Sequence, residues 1–362
     1  MLCWEMTCVG TGAANLCLSG LIPFLSFMVL GFPFLLGFGF LCVVGSLMSV
    51  SASHWLGVWV GLELNLMGFL PLVVQGGDSQ FIEGSIKYFV VQALGSSLLL
   101  LGGFLHGSLF FSWGWGSGSF LVSILLLGLL LKLGAAPFHW WVPSVMGGLS
   151  WLACGLLATW QKLAPFFLLF GVLSDFFYLF LFFACVSSLV GGVGGVGQVQ
   201  LRVLMGYSSI NHLGWMIGLL VCSLLGGMCY FLFYFFISFL IFFVFSGSGL
   251  WRVSQVSSGV GLFVLIGLVS LGGLPPLSGF VPKWVALQVV SSAGQFFLGS
   301  MLIVGALISL YYYLSLVFLL FVDLGTYYDL CFMVGRYFRL MGLGFVFFCF
   351  GFPLYEMFVG VM

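Results

Sequence analysis

Apolar runs of about 20 residues alternate with short polar or glycine-rich breaks along most of the chain. A run of that length spans the ~30 Å hydrocarbon layer of a bilayer as an α-helix. Taking the breaks in order predicts eleven spans, near residues 29–50, 54–75, 85–107, 118–142, 149–173, 175–195, 199–222, 228–250, 258–290, 295–322 and 338–360. Residues 1–28 form a weaker hydrophobic lead-in, with Glu5 near its start and room for one further short span. The expected fold is an all-α integral membrane protein forming a single polytopic domain.

Two of the spans are interrupted. In Leu129–Pro143, LLLKLGAAPFHWWVP, a lysine follows a run of leucines and a break at Pro137 follows the lysine. In Leu271–Trp284, LGGLPPLSGFVPKW, the break falls at Pro276 and the lysine, Lys283, comes after it. The segments Pro137–Pro143 and Pro276–Pro282 align proline for proline, and both end in aromatic-Val-Pro. A broken membrane helix is tolerated only where protein or a wet cavity satisfies the freed backbone groups. Paired interruptions in corresponding halves point to a transporter built from internal repeats. Pro and Gly are also simply frequent in membrane helices, but here a lysine accompanies each break. The expectation is a first repeat over 29–173, a second and inverted one over 175–322, and a final helix at 338–360.

Composition removes the alternatives. Of 362 residues, 63% are hydrophobic and only 4% charged, against ~25% charged in soluble domains. The ten cysteines contain no C-x-x-C pair, so neither a disulfide framework nor a metal site is indicated. Phe, Gly, Val, Leu, Trp and Cys share G/T-rich codons, which suggests a biased, organellar genome. No Arg-rich presequence opens the chain. The run Gly192–Gly197 matches G-x-G-x-x-G without any βαβ context, and no basic cluster suits nucleic acid.

With eleven spans, Arg202, Arg252, Arg336 and Arg339 all fall in or near loops on the side of the N-terminus. The positive-inside rule then places the N-terminus inside and the C-terminus outside.

The ionisable residues left at membrane depth are Glu63, Lys87, Lys132, Lys162 and Lys283, with His139 and His212 inside or beside spans. A charge there costs at least ~2.5–3.5 kcal/mol, so each needs a reason. One reason is structural, since an acid and several lysines can knit helices as buried ion pairs. Against it, four lysines face one obvious acid, and all the buried cations are lysines while every arginine is placed in or near a loop. Arginine stays protonated, whereas a desolvated lysine can release its proton near working pH. A row of lysines is therefore a row of titratable sites, as a proton relay requires. For His139 and His212 a relay role weighs evenly against an interhelical hydrogen bond. His54 and His106 are expected at helix ends, and Pro165 is expected to weaken the helix that carries Lys162.

These motifs resemble those of the antiporter-like membrane subunits of respiratory complex I, the mitochondrial NADH–ubiquinone oxidoreductase. The matching stretches are SHWLGVWVGLELNLMGFLPL, EGSIKYFVVQALGSSLLL, KLGAAPFHWWVP, TWQKLAP, GGVGGVGQVQLRVLMGYSSINHLGWM and SLGGLPPLSGFVPKW, covering most of residues 53–290. The resemblance implies two inverted five-helix repeats. It implies a coupled pair of Glu63 and Lys132, a central proton site at Lys162 and an exit-side site at Lys283, with Lys87 a lesser candidate. It implies no cofactor on this chain, because NADH, FMN, iron–sulfur clusters and ubiquinone belong to other subunits. The implied partners are neighbouring membrane subunits and lipids, and the implied location is the mitochondrial inner membrane, with the N-terminus on the matrix side. Ser144 stands where the family usually has an acid, and Val203 where it has a basic residue. A free-standing cation/proton antiporter and a purely structural membrane scaffold are the rival readings.

Overall fold

A computed structural model describes residues 34–74, 79–105, 119–248, 258–275 and 277–324. Among these residues the chain is helical, with thirteen α-helices and one 3-10 segment. They are α1 (Phe34–Ser51), α2 (Trp55–Val74), α3 (Ser79–Leu105), α4 (Ser119–Leu133), α5 (Trp141–Gly147), α6 (Trp151–Ala158) and α7 (Trp160–Leu169). The 3-10 turn Phe170–Asp175 leads into α8 (Phe177–Gly195), α9 (Leu201–Cys222), α10 (Leu224–Ser248), α11 (Ser258–Gly272), α12 (Phe280–Ser292) and α13 (Phe296–Leu324). Ten of the expected spans fall on these helices. The expected final span at 338–360, the lead-in 1–28, His106 and Pro276 lie outside the described residues, as do Arg252, Arg336 and Arg339.

Seven helical runs are long and apolar enough to cross a membrane. The other three expected spans fail that simple test for physical reasons. Two are the broken pairs α4/α5 and α11/α12. The third, α9, carries Arg202, Ser208, Ser209, Asn211 and His212, and nearly all of its residues are buried. A helix enclosed on every side can carry polar groups, because its neighbours supply their partners.

Lipid is as apolar as leucine, so helices in a bilayer associate through close packing rather than hydrophobic expulsion. Accordingly α8 and α9 pack most extensively, across small residues. A Cβ on Gly214 of α9 would lie 2.7 Å from the Ser188 nitrogen of α8, which a glycine alone permits. Around this contact lie two apolar clusters, one enclosing Phe242, Phe245 and Trp151, the other Leu126, Phe166, Trp215 and Tyr230.

Both helix breaks are built the same way. After α4, Gly134 (φ +72°) donates its N–H to the Leu130 carbonyl at 2.9 Å, and Ala135 N–H reaches the same oxygen at 3.1 Å. After α11, Gly273 (φ +78°) and Leu274 both donate to the Val269 carbonyl, at 3.1 and 3.5 Å. This is a left-handed glycine cap, with proline three residues further on in the sequence each time. The next half-helix then covers carbonyls the cap leaves free. Trp141 Nε1 of α5 donates to Leu131 O at 3.1 Å, and Lys283 Nζ of α12 donates to Leu271 O and Gly272 O at 3.0 and 2.8 Å.

Two local features refine the expected spans. Pro165 sits within α7, and the interruption falls six residues earlier, at Thr159 (φ −113°, ψ −73°). The Thr159 hydroxyl donates to its own Gly155 carbonyl at 2.6 Å, a bond that competes with regular helix continuation. Secondly, α3 begins at Ser79, six residues before the expected start of its span at 85. The Glu83–Lys87 ion pair, four residues apart at 2.6 Å, supports those added turns.

Candidate proton-relay site

The candidate residues fall along the interior of the bundle. Glu63 lies mid-way along α2, half-buried, and its Oε1 is buried without a protein hydrogen-bond partner. Lys132 occupies the last turn of α4 and is buried, at 6% exposure. Its stem passes over Gly95 of α3, where a Cβ would stand 2.8 Å from Lys132 Cγ. Glu63 acts electrostatically on Lys132, but the two form no contact ion pair. Gln92 Nε2 donates to the Lys132 carbonyl at 3.3 Å and ties α3 to the end of α4.

Beside this pair lies an amide bridge that the sequence did not suggest. Tyr88 OH donates to Gln161 Oε1 at 3.3 Å, and Gln161 Nε2 donates to Asn65 Oδ1 at 3.0 Å. Asn65 follows Glu63 by two residues and Gln161 immediately precedes Lys162, so the bridge spans the interval between the first pair and the next lysine.

Lys162 lies in the first turn of α7, just past the interruption at Thr159, and is buried. Its ammonium donates to Ser209 O of α9 at 3.1 Å and stands 5.6 Å from the centre of the Tyr234 ring of α10. One turn further along α9, His212 bonds Tyr230 OH through Nδ1 at 2.9 Å, and its ring lies 5.1 Å from that of Tyr234. Both Lys162 and Lys283 act electrostatically on His212. Lys283, in the first turn of α12, completes the row with its two carbonyl bonds to the end of α11.

The structure therefore brings Glu63 near Lys132, and Lys162, His212 and Lys283 around one another. It does not bring in Lys87, which lies exposed on α3, paired with Glu83. His139 is buried inside the first break, with Nδ1 3.1 Å from Pro137 O and its ring 4.7 Å from that of Trp140. Arg202 is a correction. Expected in or near a loop, with the buried cations all lysines, it is itself buried at the start of α9, donates to Leu149 O and lies 5.8 Å from the Trp151 ring. A buried arginine therefore exists, so the lysine-only pattern holds for the row and not for the whole interior. The role of Arg202 is legible from its partner: it satisfies a carbonyl in the turn between α5 and α6, away from the lysines.

The tyrosines are the functional candidates that the sequence reading passed over. Tyr230 and Tyr234 recur four residues apart in a helix otherwise rich in phenylalanine, a period that puts both hydroxyl groups on one face. Among the described residues no group of three His, Cys, Asp or Glu converges on a metal position.

A bundle with two broken helices and buried lysines at both breaks has the architecture of an antiporter-like membrane subunit. Residues 52–309 match the family model described as NADH:quinone oxidoreductase/Mrp antiporter, transmembrane, and the chain belongs to that family. It is similar to NADH-ubiquinone oxidoreductase chain 2 of Anopheles gambiae, 39% identical over 291 residues, covering 77% of this chain and 83% of that one. The corresponding protein of Lumbricus terrestris is 38% identical over 283 residues, covering 76% and 83%. A chain of respiratory complex I from Thermus thermophilus superposes with a TM-score of 0.71 at 29% identity, covering 77% of this chain and 69% of its own. A chain of the Mrp complex from Dietzia sp. DQ12-45-1b gives a TM-score of 0.69 at 18% identity, covering 76% and 58%, a likeness of fold alone.

Proposed function

We propose that this chain is a membrane subunit of the proton-pumping NADH:ubiquinone oxidoreductase, respiratory complex I, of a mitochondrial inner membrane. It moves protons through Glu63, Lys132, Lys162, His212 and Lys283, driven by electron transfer in other subunits, which also hold the flavin, the iron–sulfur clusters and the quinone. Its partners are the adjoining membrane subunits, including further antiporter-like ones. Its N-terminus faces the matrix and its C-terminus the intermembrane space. Relatives that are 35–39% identical and named as chain 2 of that enzyme favour this over a free-standing antiporter.

One observation carries the relay reading: Lys162 and Lys283 are held by main-chain carbonyls rather than by carboxylates. A carboxylate would lock an ammonium in its charged form as a buried ion pair. A carbonyl accepts an N–H from the ammonium and, more weakly, from the neutral amine, so the side chain can keep its place after losing its proton. Glu63, near Lys132 but not in contact, supplies a charge whose own protonation alters the field at the start of the row.

The test is Lys162→Arg beside Lys162→Met. A strut needs only a positive charge, whereas guanidinium cannot give up its proton at accessible pH. Both variants are expected to assemble, checked by native gel, and to lose most of the protons translocated per NADH oxidised in reconstituted vesicles. Near-normal pumping by the arginine variant would overturn the relay.

A further inference from the structure

Two buried histidines lie near the row, and their hydrogen-bond partners differ in kind. His139 Nδ1 faces the carbonyl of Pro137. A carbonyl only accepts, so that nitrogen must carry a proton and the ring is held in one tautomer. His212 Nδ1 instead faces the hydroxyl of Tyr230, which can donate or accept by turning its hydrogen. That hydroxyl donates to a bare Nδ1 and accepts from a protonated one. The pair stays bonded at 2.9 Å in either case.

The setting makes this the hydroxyl's principal contact. Tyr230 is buried and stacks on Trp215 of α9, with ring planes 8° apart and centres 6.2 Å apart. The ring is fixed by packing, and its hydroxyl is thereby aimed at His212. The titratable groups around the imidazole are Lys162 from α7, Lys283 from α12, and Tyr230 and Tyr234 from α10, with Tyr313 of α13 acting electrostatically on both tyrosines. No carboxylate is among them in the described residues. With Nδ1 engaged by the tyrosine, Nε2 is the ring nitrogen left to exchange with the lysines.

We propose that Tyr230 is the positioning residue for proton exchange at His212, holding the imidazole through a hydroxyl that accommodates both its neutral and its protonated forms. The step balances simply. The neutral ring carries its proton on Nδ1 and donates it to the Tyr230 oxygen. The Lys162 ammonium yields a proton to the bare Nε2, the imidazolium so formed keeps its Nδ1–H on the same hydroxyl, and the proton on Nε2 leaves toward the Lys283 amine. This rests on the relay reading of the row.

The experiment measures protons translocated per NADH across pH 6 to 9 in vesicles containing the whole complex, for Tyr230→Phe and His212→Gln. Tyr230→Phe keeps the stacked ring and removes only the hydroxyl. It is expected to assemble, to lower the pumping ratio severalfold and to displace its pH profile by about half to one pH unit, the scale of one lost hydrogen bond. A variant with the parent's ratio and profile overturns the proposal. So does failure of Tyr230→Phe to assemble, with or without assembly of His212→Gln, because the hydroxyl would then serve the fold. If His212→Gln itself pumps normally, it is the place of His212 in the relay that falls. A lowered ratio with an unmoved profile in Tyr230→Phe means a packing role alone and likewise overturns the proposal.

Discussion

At the residue scale, the breaks depend on glycines that look alike in sequence and differ in surroundings. Gly273 and Gly294 both adopt left-handed backbone, with φ of +78° and +73°. A Cβ on Gly294 would meet nothing within 4 Å, whereas on Gly273 it would stand 2.8 Å from Lys283 Cδ. Gly294→Ala should therefore cost only the backbone term, ~1–2 kcal/mol, and leave pumping intact. Gly273→Ala should carry the same cost and also push Lys283 off the Leu271 and Gly272 carbonyls. Its proton-to-NADH ratio is expected to fall severalfold in whatever complex assembles. Equal ratios for the two variants would show that the seat of Lys283 does not matter to the relay.

At the scale of elements, the helices are held by side chains that reach across discontinuities. Trp141 covers the end of α4, and Arg202 holds the turn between α5 and α6. Removing a buried partner costs the desolvation of the group left behind, ~1–3 kcal/mol. Arg202→Met is thus expected to lower the temperature at which the assembled complex dissociates, while the complex that remains pumps at the normal ratio. A changed ratio would draw Arg202 into the relay. Trp141→Phe should cost ~1–3 kcal/mol of stability, again with the ratio unchanged, because it removes both the N–H bond to Leu131 O and the indole atoms packed on Gly134.

At the scale of the molecule, the proposed inversion and orientation make two joint claims. Residues 29–173 should superpose on 175–322 after inversion through the membrane plane, with the caps at Gly134 and Gly273 in register. The turn at Gln198 should then face the matrix and that at Ala293 the intermembrane space. In mitoplasts an impermeant maleimide should label Ala293→Cys above the background of native cysteines and leave Gln198→Cys unlabelled until the membrane is opened. The reverse pattern would invert the orientation drawn from the loop arginines.

What the sequence determined by itself is what depends on local chemistry. Apolar length placed the ten described spans to within about six residues, because ~20 residues must cross the hydrocarbon whatever lies beside them. Glycine and proline marked both breaks, because backbone sterics act within a turn. The rarity of lysine at depth singled out Lys132, Lys162 and Lys283, and the family motifs named them again. Only the tertiary structure decided which polar groups meet. Lys87 pairs with Glu83 on an outer face, while Arg202, expected in or near a loop, is buried against Leu149 and Trp151. Thr159 interrupts the helix just before Lys162. Tyr230 meets His212 from another helix, eighteen residues away. Those outcomes depend on how α7, α9, α10 and α12 pack together. Hydropathy along one helix carries no information about the neighbour that will supply a partner for its polar groups.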